Sequence, residues 1–200
     1  MNLRDVNIDE KEIMKMRKSF GAKPFIYPMP VLIIASYDEN GVPNAMNAAW
    51  GSAADMDRIA IYVSHTHKTM KNILARKAFT VSMADAANAV AADYVGIVSG
   101  NIEPNKLEKC GWHCTKSELV DAPLIDELAM ALECELVSYD VESELLIGKI
   151  VNVCADESVL TDGVIDPKKL NPITYDPVNH DYLTLGVKIA NAFEDGKKLK

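Results

Sequence analysis

The chain has 200 residues, of which 48% are hydrophobic and 25% are charged. This is the composition of an ordinary globular protein, and the length is sufficient to bury a core without disulfides or metals. Its formal net charge is −8, from 21 basic and 29 acidic residues. Nucleic acids and anionic membrane surfaces both favour basic patches, so this charge argues against either as a partner.

Targeting signals and disulfide patterns are not apparent in the sequence. The longest apolar run, Val31 to Ala35, is far too short to span a bilayer, and the charged start lacks the continuous apolar stretch of a secretory signal. The cysteine spacing is not that of a disulfide scaffold, which favours a reducing compartment. We therefore expect a cytoplasmic protein.

The first part of the chain predicts a short helix and then a β-hairpin. Asp9 to Arg17 mixes apolar and charged residues in the manner of an amphipathic helix. Val31 to Tyr37 is a short β-branched strand, and Asp38 to Gly41 is a hairpin turn, because its Asn-Gly pair accepts a positive φ cheaply. Asn44 to Ser52 is predicted as the returning strand, although its alanines have low strand propensity.

The remaining elements are short strands with two helices among them. A helix over Lys68 to Lys77 would place Met70, Ile73 and Leu74 on one face. The other predicted elements are strands at Arg58–Ser64, Ala78–Met83, Met130–Asp140 and Leu145–Ala155, a helix at Ala86–Ile97, and an ordered piece at Tyr182–Ala190.

Closely spaced strands joined by hairpin turns favour a mainly β architecture, with an antiparallel sheet coiled into a barrel. No G-x-G-x-x-G follows a strand, so a dinucleotide-binding Rossmann unit is not expected. We predict one domain over residues 1–200, with an N-terminal helical extension at 1–22 and a charged C-terminal tail at 190–200.

One segment concentrates groups that bind anions. Ser64 to Thr69 supplies hydroxyls, two histidines and a lysine where a strand passes into a predicted helix, and Lys71 and Asn72 follow in the first turn. Helix N-termini attract phosphates through free N–H groups and the helix dipole. The alternative is that Thr66 or Thr69 is only an N-cap and the lysines form a solvated face.

The order of motifs resembles a known family. The segments concerned are Pro30–Ser36 with Asn40-Gly41, Asn44–Trp50, His67–Ile73, Ala78–Ser82, Ala122–Ile125 running into Leu132–Cys134, Gly148–Val151 and Tyr182–Gly186. In order and spacing they are similar to the flavin reductase-like FMN-binding split barrels, especially the flavoredoxin branch. The similarity extends from about Lys23 to Gly196.

The resemblance implies a split β-barrel that holds FMN non-covalently between the subunits of a homodimer. By this resemblance the flavin ring lies against Asn47, Ala48, Ala49 and Trp50. The phosphate is held by the segment from Ser64 to Asn72, with the cofactor-binding residues Ser64, His67, Lys68, Thr69 and Asn72. Trp50 could instead be an anchor of the core or of the dimer interface.

Flavin chemistry also explains why no catalytic residue is predicted, since the cofactor itself carries hydride or electron transfer. The resemblance implies an electron-transfer flavoprotein, or alternatively an NAD(P)H-dependent flavin or ferric reductase, with small molecules or proteins as donor and acceptor. Many strong NAD(P)H-dependent members carry a Gly-Asp-His segment that Asn179-His180-Asp181 does not match. This difference favours a protein donor. A module that senses or stores flavin without turnover is a further alternative.

A metal site is the alternative from another class of protein. His65 and His67 would lie on one face of a strand, and Cys110 and Cys114 could supply thiolate ligands. The cysteine spacing does not match a zinc finger, and Cys134 and Cys154 lie in apolar strands, where cysteines are usually small buried hydrophobes. No metal ligand is therefore predicted.

Overall fold

The computed structural model describes residues 17–199. All of the predicted helix at Asp9–Arg17 except Arg17, and most of the predicted 1–22 extension, lie outside these residues. The strands are β1 Met29–Pro30, β2 Leu32–Tyr37, β3 Pro43–Ala48, β4 Gly51–Asp55, β5 Arg58–Tyr62, β6 Ala78–Met83, β7 Cys114–Lys116, β8 Pro123–Ile125, β9 Met130–Asp140, β10 Leu145–Ala155, β11 Leu160–Thr161, β12 Val164–Ile165, β13 Ile173–Asp176 and β14 Asp181–Thr184. The α-helices are α1 Lys68–Arg76, α2 Ala89–Ile97, α3 Lys106–Lys109 and α4 Pro167–Leu170, with single 3₁₀ turns at Glu157–Val159 and Asp195–Leu199.

The main body is one seven-stranded antiparallel sheet in the order β3-β2-β6-β9-β10-β5-β4. Its two edge strands, β3 and β4, are consecutive in the chain and joined only by Ala49 and Trp50. Because two residues cannot cross the width of a flat sheet, the sheet must curl until its edges meet. The result is a half-barrel with a sharp corner at these two residues, which confirms the predicted mainly β split-barrel fold.

This corner corrects the prediction of one strand from Asn44 to Ser52. The chain leaves the β2 ladder after Ala48, which pairs with Leu32, and joins β5 from Gly51, which pairs with Ile61. A β-carbon on Gly51 would lie 2.7 Å from Leu32 Cδ1. The bare glycine therefore lets the two edges of the curled sheet come together.

Strand β2 is buried on both faces. Ile34 faces the barrel interior with Phe79 and Leu146, whereas Ile33 faces the outer layer, where it packs with α2 and Trp112. Burial on both faces explains the continuous apolar run of this strand, which has no polar alternation. The hairpin turn after it is confirmed, with Gly41 at φ +79°.

The two predicted helices are present with altered bounds. Helix α1 ends one residue before Lys77, which adopts the left-handed conformation of a helix end. Its buried residues are Thr69, Met70, Asn72 and Ile73, whereas Leu74 is 37% exposed, so the predicted face is rotated. Helix α2 begins at Ala89, because the Asp85 carboxylate accepts the N–H of Asn88 and closes a turn first.

Candidate functional site

No group among the described residues closes the N-terminus of α1. His67 occupies the N-cap position in extended conformation, its side chain makes no capping hydrogen bond, and the first turn carries no acidic residue. The N–H groups of Lys68, Thr69 and Met70 have no acceptor among the described residues. These free donors and the positive end of the helix dipole favour an anion at this point.

This helix end opens into a cleft of about 380 Å³. Its other wall is the end of α2 and the loop that follows, in which the Asn101 side chain donates to the Thr66 carbonyl at 3.3 Å. The cleft is lined by Met46, Thr66, His67, Lys68, Thr69, Val95, Gly96, Ile97, Val98, Ser99, Gly100, Asn101 and Lys106. The predicted residues His67, Lys68 and Thr69 therefore share one cleft, which Ser64 and Asn72 do not line.

Lys68 reaches the cleft from a fixed position. Its Nζ lies 3.0 Å from Asp38 Oδ2, at the turn of the β2–β3 hairpin. Burial opposes ionisation of Asp38, but hydrogen bonds from the Val42 N–H and the Lys68 ammonium lower the pKa of the carboxyl. The hairpin turn therefore positions a cation beside the open helix end.

Thr69 joins α1 to the sheet. The Asn44 side-chain amide on β3 donates to Thr69 Oγ1 at 2.7 Å, and both residues are buried. A β-carbon on Gly100 would fall 2.1 Å from Asn44 Oδ1, so the loop can close over Asn44 only with glycine there. Asn44 is absent from the predicted site, although it opens the segment in which Asn47 was predicted.

Asn72 holds an unused donor. Its Nδ2 is buried and has no hydrogen-bond partner among the described residues. Buried polar groups in folded proteins are nearly always satisfied. The atom lies on the buried face of α1, and Asn72 does not line the cleft, so its predicted role in holding a ligand stays a prediction.

Lys106 is the cation that the sequence prediction missed. It lies at the start of α3, is only 2% exposed, and donates from Nζ to the carbonyls of Val95 and Val98 at 2.9 Å each. Desolvation lowers the pKa of its ammonium to about 8. Its segment, Asn101 to Ser117, is polar and irregular in sequence, and nothing in that pattern indicates a buried lysine.

A second cleft, of about 200 Å³, adjoins the first and shares Gly96 and Ile97 with it. Asn47 lines it and donates from Nδ2 to the Ala92 carbonyl at 3.1 Å and to the Tyr182 hydroxyl at 3.4 Å. Tyr182 in turn donates to Asp93 at 2.9 Å. Burial, followed by that hydrogen bond, raises the pKa of Tyr182 to about 12, so the hydroxyl keeps its proton.

The four residues of the predicted segment Asn47 to Trp50 do not all line the same cleft. Asn47 and Ala49 line the second cleft, whereas Ala48 packs against the barrel core. Ala49 and Trp50 line a third and more apolar cleft of about 480 Å³ under the N-terminal segment, and Trp50 is 57% exposed. Trp50 is therefore not buried in the core that residues 17–199 form.

The histidines and cysteines considered as metal ligands do not form a metal site among the described residues. Among residues 17–199 no group of three or more His, Cys, Asp or Glu side chains is placed to hold a metal ion. His65 lies 3.7 Å from Glu144, Cys110 donates to the Leu107 carbonyl, and burial raises the pKa of Cys114 to about 12. A thiol with so high a pKa is a poor source of thiolate.

Comparison with known proteins identifies the family. The family model described as "Flavin reductase like domain" matches residues 25–176, and the chain belongs to this family. Flavoredoxin of Desulfovibrio vulgaris (Miyazaki F) is 36% identical, with a TM-score of 0.87 over 90% of this chain and 100% of that one. Flavoredoxin from Methanosarcina acetivorans is 27% identical, with a TM-score of 0.82 over 92% and 100%.

An uncharacterised protein of Aeropyrum pernix is 30% identical over 115 residues, which is 56% of this chain and 43% of that protein. The chain thus matches less than half the length of this relative. Together, the family and the flavoredoxin structures support a flavin-related oxidoreductase. In the part of the chain that the structure describes, no helix is both long and apolar enough to cross a membrane.

Proposed function

We propose that the chain binds FMN along the two joined clefts and works as an electron-transfer flavoprotein of the flavoredoxin kind. The observation that carries the proposal is the open end of α1, with free N–H groups and two lysines facing one cleft. The residues fit a phosphate dianion at this position, and the shared wall at Gly96 and Ile97 leads on to Asn47 and Ala49. Resemblance to the two flavoredoxins supports the same assignment.

Within this proposal the chain's own residues bind and orient the cofactor, which supplies the electron transfer when it is bound. Lys68 and the N–H groups of α1 hold the phosphate, and Asp38 keeps Lys68 in place. Asn47 and Ala49 bring the backbone of the β3–β4 corner close to the ring. The Tyr182–Asp93 hydrogen bond keeps Asn47 oriented.

The direct test is the binding of FMN to Lys68→Met. We expect affinity to fall about 10- to 100-fold, since a hydrogen bond to a charged group is worth about 1.5–3 kcal/mol. Lys71→Met is the matched control, because it removes the same charge from an exposed position on the same helix, outside the cleft. Equal losses in the two variants would contradict a phosphate at the α1 N-terminus.

We also propose that the electron donor is a protein and not NAD(P)H. His180, in the segment that departs from the Gly-Asp-His pattern, is already engaged, with Nδ1 2.6 Å from the Tyr175 hydroxyl. Anaerobic mixing of the FMN-loaded protein with NADH or NADPH should leave the visible flavin band unbleached, whereas dithionite should bleach it. Rapid bleaching by either nicotinamide would assign the chain to the NAD(P)H-dependent reductases.

A further inference from the structure

Helix α2 carries one charged residue in an otherwise apolar sequence. Its nine residues are Ala-Val-Ala-Ala-Asp-Tyr-Val-Gly-Ile, and Asp93 is the only one of them with a formal charge. Asp93 does not lie in the first turn, where a carboxylate would favour the helix dipole. It also forms no ion pair with any cation in residues 17–199. Neither helix formation nor an ion pair therefore explains this residue.

Asp93 lines the second cleft, in which the proposed function places the flavin ring. The residues that line this cleft are Asn47, Ala49, Asp93, Gly96, Ile97, Tyr175 and Tyr182. Asp93 is the only formally charged side chain among them. The cations Lys68 and Lys106 line the first cleft instead. The joined clefts therefore have cations at one end and a carboxylate at the other.

A neutral hydroxyl offsets part of this negative charge. Tyr182 donates its hydroxyl hydrogen to Asp93 Oδ1 at 2.9 Å. Because burial and this hydrogen bond raise the pKa of Tyr182 to about 12, the hydroxyl keeps its proton and adds no second charge. A carboxylate has about four acceptor positions, so a single phenol leaves most of its negative charge to act on the cleft.

We propose that Asp93 lowers the reduction potential of bound FMN, because its carboxylate opposes the negative charge that the ring gains with added electrons. This inference rests on the proposed function, which places the ring in the second cleft. Repulsion between like charges is stronger in a partly buried cleft than in water. Asp93 therefore weakens the binding of reduced FMN relative to oxidised FMN. The side chain itself is neither oxidised nor reduced, and the electrons come from the donor.

The dimensions of the cleft set the scale of the effect. A cleft of about 200 Å³ is small enough that a ring within it lies inside about 12 Å of the carboxylate. At that separation, with an effective dielectric constant of about 20, two unit charges change an equilibrium constant by about tenfold. We therefore expect Asp93 to weaken the binding of reduced FMN by about tenfold relative to oxidised FMN. For a two-electron couple this corresponds to about 30 mV.

The test is the midpoint potential of bound FMN, measured by anaerobic titration with dithionite against a reference dye at constant pH and ionic strength. Asp93→Asn removes the charge and keeps an acceptor for the Tyr182 hydroxyl. We expect its potential to lie about 30 mV above that of the wild type, with oxidised FMN bound about equally well. Anaerobic dialysis of oxidised and reduced FMN should give the same tenfold difference as two dissociation constants.

Asp181→Asn is the matched control. It removes the same charge from an exposed position next to Tyr182 in the chain, and Asp181 does not line the cleft. Solvent and salt screen an exposed charge, so this variant should keep the wild-type potential. An equal rise in Asp181→Asn and Asp93→Asn would show that only the net charge of the protein matters, and would overturn the inference.

Tyr182→Phe separates the charge from the contact between α2 and β14. It removes the hydrogen bond and leaves the carboxylate less offset, so the potential should fall below that of the wild type. Asp93→Asn and Tyr182→Phe should therefore shift the potential in opposite directions. A rise in both would show that a loosened contact causes the change, and the inference would be wrong. If Asp93→Asn does not fold, Tyr182→Phe decides alone, and a potential that does not fall overturns the inference.

Failure of the inference and failure of the proposed function give different results. If the wild type and Asp93→Asn bind FMN with the same midpoint potential, flavin binding stands and Asp93 only joins α2 to β14. If the wild type binds no FMN, the proposed function itself is wrong and the inference fails with it.

Discussion

At the scale of single residues, Thr69 is the side chain that connects the cleft at the α1 N-terminus to the sheet. Its Oγ1 accepts a hydrogen bond from the buried side-chain amide of Asn44. Among residues 17–199 this amide has no other acceptor. Thr69→Val keeps the shape and removes the acceptor. We expect the free energy of unfolding to fall by about 1–3 kcal/mol, the usual cost of a buried unsatisfied donor.

Urea unfolding at neutral pH would measure this loss. Thr115→Val makes the same change at an exposed position on β7 and should cost much less. Similar unfolding free energies for the two variants would show that the Asn44–Thr69 bond is not important for stability.

The burial of Lys106 also leads to a prediction of how the free energy of unfolding depends on pH in the flavin-free protein. Burial lowers its pKa from 10.5 to about 8 in the folded state, so between these values the unfolded chain binds more protons. Stability relative to Lys106→Met should therefore rise as pH increases from about 8 to about 10. Urea midpoints of both proteins across this range would measure the difference, and a flat or falling difference would contradict the buried charge.

Lys109 should behave differently over the same range. Its hydrogen bond to Glu103 raises its pKa, so its favourable contribution is present below the unfolded pKa and is lost only as pH rises above it. The stability difference between wild type and Lys109→Met should thus stay nearly constant from pH 8 to pH 10. The opposite directions of the two pKa shifts make this pair of lysines an internal control.

At the scale of elements, the packing of strand β10 against Phe79 requires a glycine at position 148. A β-carbon on Gly148 would lie 2.3 Å from Cζ of Phe79, which is fully buried on β6. Gly148→Ala should destabilise the protein by about 1–3 kcal/mol, the cost of overpacking a filled core. Thermal unfolding would measure it against Gly186→Ala, where a β-carbon meets nothing within 4 Å.

Elements with a clear pattern could be predicted from the sequence. Strands β6, β9 and β10 have the predicted bounds, because their apolar stretches end at or just before turn residues or charges. The corner at Ala49 and Trp50 could not be predicted, since neither residue is a turn signal and the bend depends on closure of the sheet. The tertiary burial of Lys106 gives no local pattern either.

At the scale of the whole molecule, an apolar and aromatic surface is left exposed by residues 17–199. Trp50 and Tyr62, together with Ile26 from the N-terminal segment, are more than half exposed around the third cleft. A surface of this kind is typical of an interface. We propose that a second copy of the chain covers it, which would form the predicted homodimer.

Sedimentation of Trp50→Glu tests this proposal. We expect a dimer for the wild type and a shift toward monomer for the variant, because a buried unpaired carboxylate is costly at an interface. Met56→Glu is the control, at a residue 98% exposed on the β4–β5 turn, and should remain dimeric. A wild-type monomer, or a dimer that Trp50→Glu leaves intact, would place the interface elsewhere or exclude it.

The central claim is that this chain is a flavoprotein. The measurement that tests it most directly is the visible absorption spectrum of the purified protein, followed by heating and identification of what is released. We predict the spectrum of an oxidised flavin and FMN in the supernatant. A colourless protein that takes up no added FMN would contradict the account.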